Sequence, residues 1–271
     1  FIREFEINGV LTQPFLSANL DFSGVASFAD LIDEDGLIEG YSTNGRVVAR
    51  SAIVIDELTG KRFGIVGATT PALPTISSPG DVQVTTADLN ETAAVVQTEI
   101  DRLTGKGVNK IIFVSHLQSV SNDEELIQKL SDVDIAVAGG GDELLTNPTI
   151  PETTQLLPGE QAEVEGTYPL EATDADGQTV YIVTTAGNYK YLGRLDITLD
   201  EQGEVSSIIS EETYPRRVIP TSTTATALGL TDAVTPDAEI VASVNEPVVA
   251  CLSELENTPV VRSEVPLDVS R

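Results

Sequence analysis

With 271 residues, 41% of them hydrophobic, and a mean hydropathy near zero, the chain has the size and balance of one large soluble domain or two small ones. Its 43 acidic residues against 15 basic ones leave a net charge of −28, a field that repels nucleic-acid polymers and anionic membranes alike. The lone Cys251 excludes an internal disulfide and a cysteine-based zinc site, and no apolar run approaches the roughly 20 residues of a membrane-spanning helix.

Taken in chain order, residues 1–66 read as short β-like runs broken by turn signals at Asp33–Gly36, Thr43–Gly45 and Leu58–Lys61. "RVVARSAIVIDELTGKRFGIVGA" reads as a hairpin, because two β-branched runs flank a Thr-Gly turn. From Ala87 the period changes: Leu89, Ala93, Val96, Ile100 and Leu103 fall on one helical stripe, and Gly105 and Gly107 close it. "KIIFVSH", "NDEELIQKL" and "DIAVAGG" then predict a βαβ unit with acidic residues in the first helical turn. Residues 168–214 read as a β-meander with turns at "DADG" and "DEQG". The "DADG" turn lacks the distal bidentate Glu of a calcium loop and reads as a plain hairpin turn. Residues 235–257 carry an apolar stripe through Ile240, Val244, Val248, Leu252 and Leu255, interrupted by Pro247, which predicts one kinked helix or two short ones.

The βαβ unit decides where chemistry could sit. A right-handed crossover brings the carboxyl ends of both strands to one sheet edge, and open α/β sheets bind ligands there. His116, the only histidine, ends the first strand, and Gly139–Gly141, Asp142 and Glu143 follow the second. Both a structural and a ligating role stay open for His116 on these grounds, and Asp142 reads equally as a ligand or as a turn or helix N-cap residue. The glycine run is not a phosphate loop, because no Lys and Ser/Thr follow it. A surface this acidic would also need a local positive centre, such as a metal, to hold an anionic substrate.

"FLSANLDF" (15–22), "FGIVGATTP" (63–71), "IIFVSHLQ" (111–118), "VDIAVAGGGDELL" (133–145) and "TTAGNYKYLGRLDITLDEQG" (184–203), in that order, resemble the 5′-nucleotidase branch of the calcineurin-like metallophosphoesterases. The resemblance implies an α/β fold, a two-sheet sandwich flanked by helices, here incomplete, around two divalent metal ions. It places residues 1–234 in the carboxyl-terminal part of the catalytic domain and makes 235–257 a linking helix. Residues 258–271, through "LDVSR", would open a substrate-binding domain. His116 matches a metal-ligand histidine. Gly140 takes the place of a second ligand histidine, and Asp142 that of a third, a hard oxygen donor that tilts preference from zinc towards calcium, magnesium or manganese. Arg271 matches an arginine that contacts substrate phosphate.

The family's upstream DxH, GD and GNHE ligand segments have no counterpart, so the resemblance also implies a fragment whose amino-terminal companion holds the rest of the metal shell. Phe1 at the start, with no Met anywhere, fits a processed or excised piece, and no basic-then-apolar secretory signal is found within it. The implied function is metal-dependent hydrolysis of a phosphate ester or nucleotide, in the periplasm or outside the cell. The alternative is an inactive fragment or degenerate homologue that binds a phosphate compound, a metal or a protein.

Overall fold

The computed structural model describes residues 6–7, 10–11, 13–40, 45–200 and 205–256. The chain divides into two compact units, Phe1–Arg217 and Val218–Arg271. The first is built on a seven-stranded mixed sheet. Its strands in chain order are β1 (Leu37–Glu39), β2 (Ser51–Ile55), β3 (Arg62–Thr69), β4 (Ile111–His116), β5 (Ile135–Val137), β6 (Leu170–Thr173) and β7 (Thr179–Val183). Their order across the sheet is β6-β7-β5-β4-β3-β2-β1. The central strands β3, β4, β5 and β7 run parallel, while β2 pairs antiparallel with β3, and β6 with β7. The expected hairpin and the βαβ unit are therefore both present.

Alternation along β4 sets the two faces. Ile111, Phe113, Ser115 and Leu117 are buried, while Val114, His116 and Gln118 are exposed on the other side. The buried side packs against α1 (Leu89–Gly105) and α2 (Val120–Ile127), and the main core runs through Val66, Phe113, Ala136 and Ile182 on the sheet and through Val96, Ile100 and Leu126 on the helices. On the opposite side Val114 and Val137 are 38% and 39% exposed, although parallel strands ordinarily have cover on both faces. The sheet is thus one finished layer of an incomplete α/β sandwich.

Helix α1 starts where its sequence dictates. The Asp88 carboxylate accepts from the amides of Asn90 (2.8 Å) and Glu91 (2.9 Å), and Glu91 reaches back to the Ala87 amide at 2.8 Å. Burying Ile100 and Leu103 completely contributes about 2 kcal/mol each. Glu99 lies on the same buried side at 4% exposure, and it is satisfied there by Arg50 Nε (2.6 Å) and the Ser51 hydroxyl (2.8 Å). This cluster ties α1 to the start of β2.

The 168–214 region is divided rather than continuous. Leu170–Thr173 and Thr179–Val183 join the large sheet as a hairpin, with the Asp174 carboxylate accepting from the amides of Asp176 and Gln178 in the turn. Beyond them, Tyr191–Arg194 pairs with Tyr214–Arg217, and Ile197–Leu199 with Val205–Ile208.

In the second unit, Ser222 caps the short helix Thr223–Ala227 and Asp237 caps a helical run from Ala238 to Glu256. This run does not break at Pro247. A widened π-type turn over Val241–Asn245 precedes the proline, where the missing proline N–H removes one regular helical hydrogen bond. The predicted stripe lies on that helix, and Ile240, Val244, Val248, Leu252 and Leu255 are all more than half exposed. Residues 257–271, and with them Arg271 and the expected start of a further domain, lie outside the described residues.

Candidate functional site

The carboxyl ends of β3, β4, β5 and β7 form one edge, because these four strands are parallel. Thr69 pairs with His116 in register, and the Thr70 amide donates to the His116 carbonyl at 2.9 Å. Asn19, fully buried, anchors the preceding "SAN" segment to this edge. Its carboxamide accepts from the Thr69 amide (2.9 Å) and donates to the Thr69 carbonyl (2.7 Å) and the Thr86 hydroxyl (3.0 Å).

His116 is exposed, and its ring has no hydrogen-bond partner among the described residues. It lies against Gly140, where a β-carbon would come within 2.6 Å of Cδ2 and 2.8 Å of Nε2. Gly140 also has φ +88°, a left-handed conformation that side chains rarely adopt. The glycine is thus required by the packing of the histidine ring as it stands. Asp142 lies against a second glycine: its carboxylate fills the space that a β-carbon on Gly187 would take. It also helps keep Lys190 protonated, behind the stronger hydrogen bond from Lys190 to Glu160 at 2.7 Å. Asp142 caps no helix; the chain continues from it into the strand Leu144–Thr146.

His116 and Asp142 therefore share an edge but have different glycines as neighbours. Both are donor types suited to a divalent cation, yet two donors do not complete the four or more that such an ion takes. No group of three or more His, Cys, Asp or Glu side chains is placed to hold a metal among the described residues. A metal centre cannot be built from these residues alone.

Backbone strain gathers at this edge. Of the four non-glycine residues with positive φ among the described residues, three (Gln118, Asn188 and Tyr189) lie in the loops after β4 and β7. A cavity of about 490 Å³ opens between Gly139–Gly141 and Val183–Thr185, and another of about 480 Å³ is lined by Asp142, Asn188 and Lys190. A larger one, about 900 Å³, lies away from this edge among Asp132, Asp134, Asp174 and Asp176, an acidic wall unsuited to phosphate.

Sequence comparison decides the lineage. The chain is 31% identical to the 5′-nucleotidase of Diplobatis ommata over 192 residues, which cover 71% of this chain and 28% of that protein. The human 5′-nucleotidase is 34% identical over 144 residues, 53% of this chain. This chain is a homologue of the 5′-nucleotidases. The homologue spans about a fifth to a third of the length of the curated relatives it matches. Its fold is shared with a 5′-nucleotidase precursor from Thermus thermophilus (TM-score 0.61, 24% identity, 90% of this chain and 39% of that one). It is shared likewise with the NAD nucleotidase of Haemophilus influenzae (TM-score 0.57, 22% identity, 90% of this chain and 46% of that one). No protein-family model matches the homologue.

Two buried side chains at this edge were not singled out by the sequence: Asn19, within a quoted motif, and Asp123, which reads as an ordinary first-turn acid. The carboxylate of Glu143 caps α2 by accepting from the Val120 amide at 2.9 Å, so the acid beside Asp142 fixes the loop to the helix.

Proposed function

We propose that this chain forms part of a metal-dependent phosphomonoester hydrolase acting on nucleotides, with His116 and Asp142 as two of its metal ligands. The homology with 5′-nucleotidases carries the reading. The imidazole of His116 and the carboxylate of Asp142 on one strand-end edge support it. A bound dication would supply charge neutralisation at the phosphoryl group and an activated water. The chain's own contribution is to present an imidazole and a carboxylate from loops that Gly140, Gly187 and the Glu143 cap hold in place. The oxygen donor at Asp142 favours calcium, magnesium or manganese over zinc. Further ligands would come from an amino-terminal companion segment covering the open face at Val114 and Val137, and Arg271 would contact substrate phosphate. In that arrangement residues 1–234 belong to the catalytic domain, 235–257 link, and 258–271 begin the next domain. Relatives named as venom proteins, such as the Naja atra 5′-nucleotidase, support an exported location.

A second reading, a non-catalytic binding module, is favoured by the absence of a third metal-capable side chain among the described residues and by the bare Gly140. Phosphate release from adenosine 5′-monophosphate, with companion polypeptides sought by mass under native and denaturing conditions, separates the two. The hydrolase reading expects metal-dependent release that falls in His116→Ala by more than the ~10–100-fold typical of losing an outer-shell partner. No release from a preparation that retains its companion contradicts it.

A further inference from the structure

Two consecutive residues after β7, Asn188 (φ +65°) and Tyr189 (φ +56°), hold the left-handed backbone that a residue other than glycine adopts only at a cost. Both side chains are exposed, the Tyr189 ring at 97%, so neither packs against anything that would secure the turn. Such a conformation persists only where its surroundings enforce it. The constraint therefore comes from the residues on either side.

The two residues that follow the turn converge on one carboxylate. Lys190 Nζ donates to Glu160 Oε1 at 2.7 Å, and the Tyr191 hydroxyl donates to Glu160 Oε2 while accepting from the Leu157 amide at 3.0 Å. The Glu160 side chain is only 17% exposed. Burial works against the anion there, but the hydrogen bonds from Lys190 and Tyr191 outweigh it and hold the carboxyl below its ordinary range. The Tyr191 ring, 7% exposed, packs with Leu144, Leu156 and Ala186 in a small core of its own. Leu144 follows Asp142 by two residues and Ala186 precedes Gly187, so this core brackets the contact between the Asp142 carboxylate and Gly187.

We propose that Glu160 is a positioning residue for Asp142: by accepting from Lys190 and Tyr191 it closes the left-handed turn at Asn188–Tyr189, and so fixes the Gly187 surface on which the Asp142 carboxylate rests. Without that grip the turn relaxes to an ordinary backbone, Gly187 moves, and Asp142 loses its support. The placement of Asp142 stands on the hydrogen bonds and the packing. Its use as a metal ligand rests on the hydrolase reading above.

NMR of the full chain without metal tests it, with the Asp142 carboxyl ¹³C signal assigned by its loss in Asp142→Asn. In Glu160→Ala, Asn188 and Tyr189 should lose the HN–Hα couplings and backbone ¹³C shifts of positive φ, and the Asp142 carboxyl signal should move. Signals from α1 and β4 should stay in place, and Glu160→Gln, which keeps one acceptor oxygen, should retain part of the wild-type pattern. Changes spread evenly through α1 and β4 would mean that Glu160 only supports the fold, and would overturn the proposal. An Asp142 signal unmoved by Glu160→Ala would overturn it as well. Should Glu160→Ala fail to fold, Tyr191→Phe keeps the ring in its core, removes one of the two grips and should move the same signals. The ligand role is judged apart: manganese that shows no preference for His116 in the wild type would count against the hydrolase reading, while the metal-free signals still decide what places Asp142.

Discussion

A carboxyl group with no exposed surface folds more readily as the acid than as the anion, so Asp123 places part of the chain's stability under pH control. Its folded pKa is raised from 3.8 to about 7. Its contribution is therefore fully present below about pH 4 and is lost as pH rises through about 7, by roughly 4 kcal/mol for a three-unit shift. General repulsion among the acids also grows with pH, so the measurement is a difference. Urea unfolding at pH 5 and pH 8 should show wild type losing more stability than Asp123→Asn across that interval; equal losses would refute the assignment. Glu99 is another buried acid with a specific role. Removing one partner from a buried pair costs about 3–5 kcal/mol, and Arg50, with 47% of its side chain exposed, reduces that figure. Glu99→Ala should therefore lower unfolding stability by about 2–3 kcal/mol, and Glu99→Gln, which can keep the Ser51 bond, by less. Neither acid was legible as buried. Asp123 sits among "SNDEEL", where a first-turn acid at a helix start is ordinarily solvated, and Glu99 interrupts an apolar stripe as any surface residue would. Arg50 and Ser51, distant in sequence, make the burial of Glu99 tolerable, and the Ser115 hydroxyl of β4 acts on Asp123.

Elements with a strong period were readable. The stripe from Leu89 to Leu103, the β2–β3 hairpin and the β4-α2-β5 unit follow from spacing that has one low-energy solution each. Handedness of the crossover then placed His116 and the glycine loop on a common edge. Spacing does not encode the direction of the Asp142 carboxylate, which depends on a bare Gly187 some 45 residues away. The Pro247 helix shows the same limit. A proline in an apolar helical stripe reads as a kink or a break, and the chain instead inserts a wider turn before it. Pro247→Ala restores the missing N–H, so helical circular dichroism should increase and the helix should gain protection from amide exchange across Val241–Asn245. An unchanged spectrum and unchanged exchange would mean that the wide turn has another cause.

At the scale of the whole molecule, the net charge of −28 governs both stability and ligand choice. Self-repulsion is screened as the Debye length shrinks from about 10 Å at 0.1 M salt to about 3 Å at 1 M, so the thermal midpoint should rise with sodium chloride. A falling midpoint would show that ion pairs such as Arg194–Asp196 outweigh the excess of acid. The same charge gathers cations everywhere on the surface, so bulk metal binding says little about a specific site. His116 resolves this, being the one histidine in the chain. The most direct measurement is the His116 imidazole signal in a ¹H–¹³C NMR spectrum during substoichiometric addition of manganese. A metal held by both residues should broaden this signal ahead of those from acid-rich surface loops, and the preference should be lost in Asp142→Asn. Broadening no faster than the rest of the surface, or unchanged by Asp142→Asn, would contradict a metal held jointly by these two residues.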